Sequence, residues 1–330
     1  MKELTITFAT VTVAVFLLTV LAEHIMIPIL RSHKLGQKIL DIGPRWHKSK
    51  EGTPIMGGIG FILAALIVIA IFYVVQAFRA TAADYVPLAL TLAFAVGNGA
   101  IGFVDDYCKL VKKQNEGLTR IQKLVLQLVV ASLYVAAMAL TGNMETTLAL
   151  PFTDYSLEMG WLFYPFAVLV LAGVVNGANF TDGIDGLASS VSCVIGVFLS
   201  VVAFTVADQS LALSGGILIG STLGFLIYNF HPARVFMGDT GSLYLGALII
   251  GTAFSMGEGL VGLILCGVFI IELLSSVLQI LYFKLTHGKR LFKMAPIHHH
   301  FEKSGWGEIK IVVVFSLVQL AICVLAWFAL

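Results

Sequence analysis

Five aspartates, Asp105, Asp106, Asp182, Asp185 and Asp239, stand where long apolar runs give way to polar residues. They lie in the stretches F-V-D-D-Y, N-F-T-D-G-I-D-G-L-A and F-M-G-D-T-G-S-L. The chain has no Gly-rich nucleotide loop of the Walker type, no zinc-like ligand spacing, and four scattered cysteines. Carboxylates in that context suit a hard divalent cation, Mg²⁺ first and Mn²⁺ second. Asp239 is the focus, because Gly238 and Gly241 beside it let the backbone come close to a ligand. Lysines and histidines around such a cation point to phosphate: Lys48 and Lys50 before the second apolar run, Lys109, Lys112 and Lys113 after the Asp pair, and His298, His299 and His300 in A-P-I-H-H-H-F-E.

Each residue also has a plainer reading. Lys48 and Lys50 suit a diphosphate, but equally the anionic lipid surface. Neighbouring Asp105 and Asp106 sit about 100° apart on a helix, so only one can face a given ligand. Asp182 and Asp185, at i and i+3, point the same way if they share a helical turn, and otherwise form a tight turn with an Asp cap. Gly183 keeps the surface beside them open, and the Asn176 and Asn179 amides can read a base or sugar. Phe236 could stack on a planar ring or simply face lipid. Consecutive His298, His299 and His300 point in different directions on a helix, which favours hydrogen bonding to phosphate over a zinc site. Glu272 lies deep in an apolar run, where an ionisable group is functional by default; a groove for a lipid chain between the eighth and ninth runs is one expectation for it.

The elements that must position these groups are membrane spans. Of 330 residues, 58% are hydrophobic and only 12% charged, and the mean hydropathy is +0.96. A net charge of +1 gives no basic field for nucleic acid, so no nucleic-acid partner is expected. The cysteines, Cys108, Cys193, Cys266 and Cys323, read as buried thiols. Runs long enough to cross a bilayer, which takes about 20 residues, cover Leu4 to Ala22, Gly52 to Phe78, Tyr85 to Val104, Leu124 to Met144, Met159 to Thr181, Gly186 to Ala207, Gln209 to Phe230, Thr240 to Gly257, Gly259 to Phe283 and Ile311 to Leu330. The chain is thus expected to be all-α, a polytopic integral membrane protein of about ten transmembrane helices forming one catalytic domain over residues 1–330. All of its 20 lysines and arginines except Lys2 and Arg79 fall in the loops after odd-numbered spans. The positive-inside rule makes those loops cytoplasmic, puts both termini outside, and gathers the five aspartates at the cytoplasmic face.

The three aspartate stretches and A-P-I-H-H-H-F-E, in this order within ten spans and followed by G-W-G-E, closely resemble the bacterial phospho-N-acetylmuramoyl-pentapeptide transferases. The first three stretches are common to the wider polyprenyl-phosphate N-acetylhexosamine-1-phosphate transferase family; the histidine run narrows the match. The resemblance implies a multi-pass enzyme of the bacterial inner membrane that is Mg²⁺-dependent and homodimeric. Its substrates would be UDP-MurNAc-pentapeptide and undecaprenyl phosphate, among membrane lipid, and its products lipid I and UMP in peptidoglycan synthesis. It further implies that Asp239 ligates Mg²⁺, Asp105 acts on the lipid phosphate and Asp106 supports the cluster. Asn179, Asp182, Gly183, Asp185 and Phe236 would lie around the uridine. Lys50 and Lys123 would assist with phosphates, and His298, His299, His300 and Asn229 would line the diphosphate site. Direct attack and a two-step path through an aspartyl phosphate both remain open.

Three other readings compete. A sibling enzyme moving N-acetylglucosamine-1-phosphate shares the aspartates but not the histidine context. An ion-coupled transporter would carry its acids near the bilayer midplane, whereas here only Glu272 is deep. An intramembrane aspartyl protease would need Gly where Phe236 stands.

Overall fold

The computed structural model describes residues 1–32, 50, 52–79, 85–111 and 117–330. Lys48, Lys112 and Lys113 lie outside the described residues. The chain runs through α1 (Lys2–Ser32), α2 (Gly58–Arg79), α3 (Val86–Val111), α4 (Arg120–Leu140), strands β1 (Thr147–Ala149) and β2 (Ser156–Glu158), then α5 (Phe163–Thr181), α6 (Leu187–Val206) and α7 (Gln209–Asn229). It continues through α8 (Gly238–Ser255), α9 (Gly259–Leu265), α10 (Gly267–Leu285), α11 (Ile297–Glu302) and α12 (Glu308–Trp327). Among the described residues nine helices are long and apolar enough to cross a membrane. The outer ones show why: α1 exposes Val13, Leu17, Leu21 and Ile25 along one face and buries Val11, Val15, Thr19 and Ile27 along another. Such a split fits a helix with lipid on one side and protein on the other.

The fold is helical as expected, with two local departures. A small antiparallel hairpin pairs Thr147 with Glu158 and Ala149 with Ser156 in the loop after α4. The ninth apolar run is also not one span. It breaks at Cys266, which leaves helical geometry at ψ 19°, and so divides into the seven-residue α9 and the 19-residue α10. Cys266 and Cys323 are buried free thiols, while Cys108 and Cys193 are partly buried.

The centre of the bundle is α8. Every residue from Thr240 to Phe254 is buried, so this helix is covered on all sides and takes the position that has no outer surface. It packs against α3, α5 and α2. The approach of α3 is very close, since a Cβ at Gly102 would lie 2.2 Å from the Asp239 carbonyl oxygen. Local signals fix the starts of neighbouring helices. Thr119 and Gln122 form a reciprocal capping box at α4, and Asp208 caps α7 by accepting from Leu211 N.

Gly102→Ala is expected to push α3 and α8 apart, costing about 1–3 kcal/mol and lowering the unfolding midpoint in detergent. An unchanged midpoint would show that this close approach is not required.

Candidate active site

The N-terminus of α8 has no cap of its own, because Met237 offers no side-chain hydrogen bond. The cap comes from another helix. Asp106 on α3 accepts from Asp239 N at 3.3 Å, Thr240 N at 3.0 Å and Thr240 Oγ1 at 2.8 Å. A carboxylate there satisfies otherwise orphaned N–H groups and faces the positive end of the helix dipole. Asp106 is thereby turned into the α3–α8 seam, and the next residue back, Asp105, turns another way. Its Oδ1 accepts from Leu118 N at 2.6 Å and its Oδ2 pairs with Lys109 Nζ at 2.7 Å.

Asp239 completes the group. Its Oδ1 accepts from Asn179 Nδ2 at 2.8 Å, and its Oδ2 meets Lys123 Nζ at 2.9 Å and Lys109 Nζ at 3.0 Å. Asn179 also donates to Ser242 Oγ and accepts from Lys123 Nζ, so α4, α5 and α8 meet at this one carboxylate. Carboxylate oxygens of Asp105, Asp106 and Asp239 lie within 4.8 Å of one another, which is a donor set suited to a hard divalent cation. The Lys109 ammonium, within 3.6 Å of all three, is a positive charge already standing among them.

A second group forms on the far side of the turn between α5 and α6. Asp185 pairs with Lys50 at 2.7 Å and accepts from His231 Nδ1 at 2.9 Å and Ala233 N at 3.0 Å. Glu308, at the start of α12, bonds Lys50 at 2.6 Å and accepts from Asp185 N. These acids and His231 could also surround a metal ion, but the Lys50 ammonium bridges the two carboxylates and serves as their counter-charge. The interaction ties the residues before α2, the α5–α6 turn, the 230s loop and the C-terminal helix into one ion network.

Four of the five aspartates therefore divide between two clusters, Asp105, Asp106 and Asp239 in one and Asp185 in the other, and Asp182 belongs to neither. Asp182 and Asp185 do not share a helical turn: Asp182 ends α5, and Gly186 with φ +77° separates the turn from α6. Burial, with the carboxylates of Asp239, Asp106 and Asp185 nearby, raises the Asp182 carboxyl well above the usual carboxylate range. Asn179 is bonded to the acid cluster. Phe236 is half-buried, its backbone held by Pro54 O and Gly57 N at 2.8 and 2.9 Å. Asn229 is 2% exposed and braces the loop after α7, donating to Val235 O and accepting from Ser189 Oγ. Both ends of its amide are used internally, so it is not brought to the site's surface. Gly183 lies against the His298 ring.

The histidines diverge as consecutive helical residues must. His298 is fully buried with Nδ1 3.0 Å from Glu272 Oε2, His299 pairs with Glu302 at 2.5 Å, and His300 Nδ1 accepts from Lys293 N at 3.1 Å. Glu272 is fully buried and faces this histidine. It does not line a groove for a lipid chain, which corrects that expectation; the run that carries it starts a new helix at Gly267, and its second turn is directed toward α11. Sequence reasoning missed Thr240, Ser242 and Glu308 as members of these networks. Glu308 had one signal, an acid in the first turn of a helix just after Gly-Trp-Gly.

Residues 87–257 match the family described as Glycosyl transferase family 4. Over 316 residues the chain is 42% identical to the phospho-N-acetylmuramoyl-pentapeptide-transferase of Acetivibrio thermocellus, covering 96% of this chain and 93% of that one. It is 42% identical over 327 residues to the transferase of the same name from Shouchella clausii, with 98% and 97% covered. It is 41% identical over 310 residues to that of Bacillus subtilis, with 94% of each chain covered.

Lys109→Met leaves Asp105 and Asp239 without their shared counter-charge. The variant is expected to unfold at lower temperature than the parent in chelator, and to be stabilised more than the parent when Mg²⁺ is added. An equal response to Mg²⁺ in both proteins would contradict the reading of Lys109 as the resident positive charge of a cation site.

Proposed function

The chain belongs to the phospho-N-acetylmuramoyl-pentapeptide transferase family, and from that membership we propose that it transfers phospho-N-acetylmuramoyl-pentapeptide from its UDP-linked donor to undecaprenyl phosphate, in peptidoglycan synthesis at the bacterial inner membrane. In the net reaction a bond forms between an oxygen of the lipid phosphate and the phosphorus that carries the sugar. The bond from that phosphorus to the bridging oxygen breaks, UMP leaves with the bridging oxygen, and the lipid-linked diphosphate, lipid I, remains. The observation that carries this reading at the site is the convergence of Asp105, Asp106 and Asp239 with Lys109 and Lys123 at the start of the buried helix α8.

Phosphoryl transfer requires alignment and neutralisation of charge more than covalent assistance. Asp239, with Asp105 and Asp106 beside it, would hold Mg²⁺, which supplies charge neutralisation and a template for the diphosphate. Lys123 and Lys109 add positive charge on the same side, and Asn179 fixes the Asp239 carboxylate through Oδ1. The acceptor needs little help in losing a proton, because the second pKa of a phosphate monoester is about 6. Both oxygens of Asp105 are engaged, by Leu118 N and by Lys109, which favours a role in placing charge over one as general base. The partly exposed Asp182–Gly183 turn and half-buried Phe236 would meet the uridine. The distribution of basic loops supports a cytoplasmic position for this face, where a soluble nucleotide donor is available.

UMP release by the purified protein, with undecaprenyl phosphate and Mg²⁺, tests the reading. Release is expected with UDP-MurNAc-pentapeptide, not with UDP-N-acetylglucosamine, and is expected to stop on chelation. Release with only the second donor would assign the sibling reaction, and release with neither would remove the enzymatic reading. Asp239→Asn is expected to abolish turnover while leaving extraction and unfolding behaviour intact; full activity in that variant would overturn the ligand role of Asp239.

A further inference from the structure

Glu272 and His298 form a buried pair that the acid cluster does not include. Both are fully buried, and they touch through a single contact, His298 Nδ1 to Glu272 Oε2 at 3.0 Å. Beyond it, His298 Nε2 and Glu272 Oε1 have no hydrogen-bond partner among the described residues. The free end of the ring points at the Asp182–Gly183 turn. A Cβ at Gly183 would stand 2.2 Å from Nε2, so any side chain at that position would occupy the space in front of the nitrogen.

The charge state of such a pair is constrained by its surroundings. A carboxylate facing a neutral imidazole would leave an uncompensated buried charge, which is the costliest arrangement. Two arrangements carry no net charge: the ion pair, in which Nδ1–H donates to the carboxylate, and the neutral pair, in which the carboxylic acid donates to Nδ1. In both, Nε2 carries a hydrogen. The ring therefore presents a buried N–H donor with no acceptor, aimed at the turn beside the acid cluster, and a buried donor left unpaired is unfavourable until a ligand supplies its acceptor.

We infer that Glu272 is a positioning residue, which holds the His298 ring through Nδ1 so that an Nε2–H donor faces a phosphate oxygen of the nucleotide-linked donor as it settles over the Asp182–Gly183 turn. This rests on the transfer reaction proposed above. It gives the deep glutamate of α10 a function through α11, and it explains why glycine occupies position 183. Second contacts of this kind fix the tautomer and direction of a functional histidine.

The test measures kcat and KM for UMP release in the full-length protein for Glu272→Gln, Glu272→Leu, His298→Ala and the Glu272→Leu/His298→Ala double variant. Loss of a hydrogen bond to a charged group corresponds to about 10- to 100-fold in rate, so Glu272→Leu and His298→Ala are each expected to lower kcat by that order. The double variant is expected to be no worse than His298→Ala alone, because the glutamate acts through the ring. A glutamine amide can donate to Nδ1 and keep the hydrogen on Nε2, so Glu272→Gln is expected to recover kcat to within about threefold of the parent. Losses that multiply in the double variant, or a Glu272→Gln as poor as Glu272→Leu, would overturn the proposal. If the parent itself releases no UMP, the transfer reading fails separately. The pair is then judged by nitrogen NMR of histidine-labelled protein, with His298 identified by its absence in His298→Ala. A hydrogen on Nε2 in the parent that is lost or redistributed in Glu272→Leu supports the positioning role, and an identical His298 signal in both contradicts it.

Discussion

The structure depends on a carboxylate of one helix closing the end of another. Helix α8 is buried from Thr240 to Phe254, so the N–H of Thr240 needs a partner within the protein, and the residue before the helix provides no side-chain cap. Asp106 of α3 provides one, bonding Thr240 N and Oγ1. For that contact to form, α3 must come very close to α8, and Gly102 permits it. The same contact fixes the relative rotation of the two helices, which determines where their neighbouring residues, Asp105 and Asp239, project. A requirement of backbone satisfaction thus becomes the geometry of an acid cluster that could hold a cation.

From that seam the remaining interactions extend outward. Lys109, one helical turn after Asp105, reaches all three carboxylates; Lys123 comes from the capped start of α4 and Asn179 from the last turns of α5. These three helices are brought together by one partly buried side chain, Asp239. The separate Asp185–Lys50–Glu308–His231 network has another task. It joins the C-terminal helix and the residues before α2 to the α5–α6 turn, and so braces the turn that carries Asp182 and Gly183.

Much of this was legible in the sequence, and the exceptions have physical causes. The helical class and most of the apolar helices follow from hydropathy, although the described residues hold nine candidate spans against ten apolar runs, the eighth run, α8, not being among the nine. Periodicity could not reveal the break at Cys266, because the hydrophobic run continues through it. Nor could it give the partner of Glu272, since the contact with His298 joins α10 to α11 across the loop between them. Asp182 and Asp185 look like a matched pair in sequence, yet the left-handed Gly186 and the end of α5 at Thr181 turn the intervening residues out of the helix, and the two carboxylates diverge. Asn229 had the chemistry of a ligand group, but both ends of its amide are consumed in holding its own loop.

The central claim is that Asp105, Asp106 and Asp239 form one site for a divalent cation, organised by the capping of α8. Its most direct test is Mn²⁺ titration of the purified protein followed by electron paramagnetic resonance, comparing the parent with Asp239→Asn. The account predicts one tightly bound Mn²⁺ in the parent, displaced by Mg²⁺, and loss of that binding in a variant that remains folded. Unaltered Mn²⁺ binding in Asp239→Asn would contradict it.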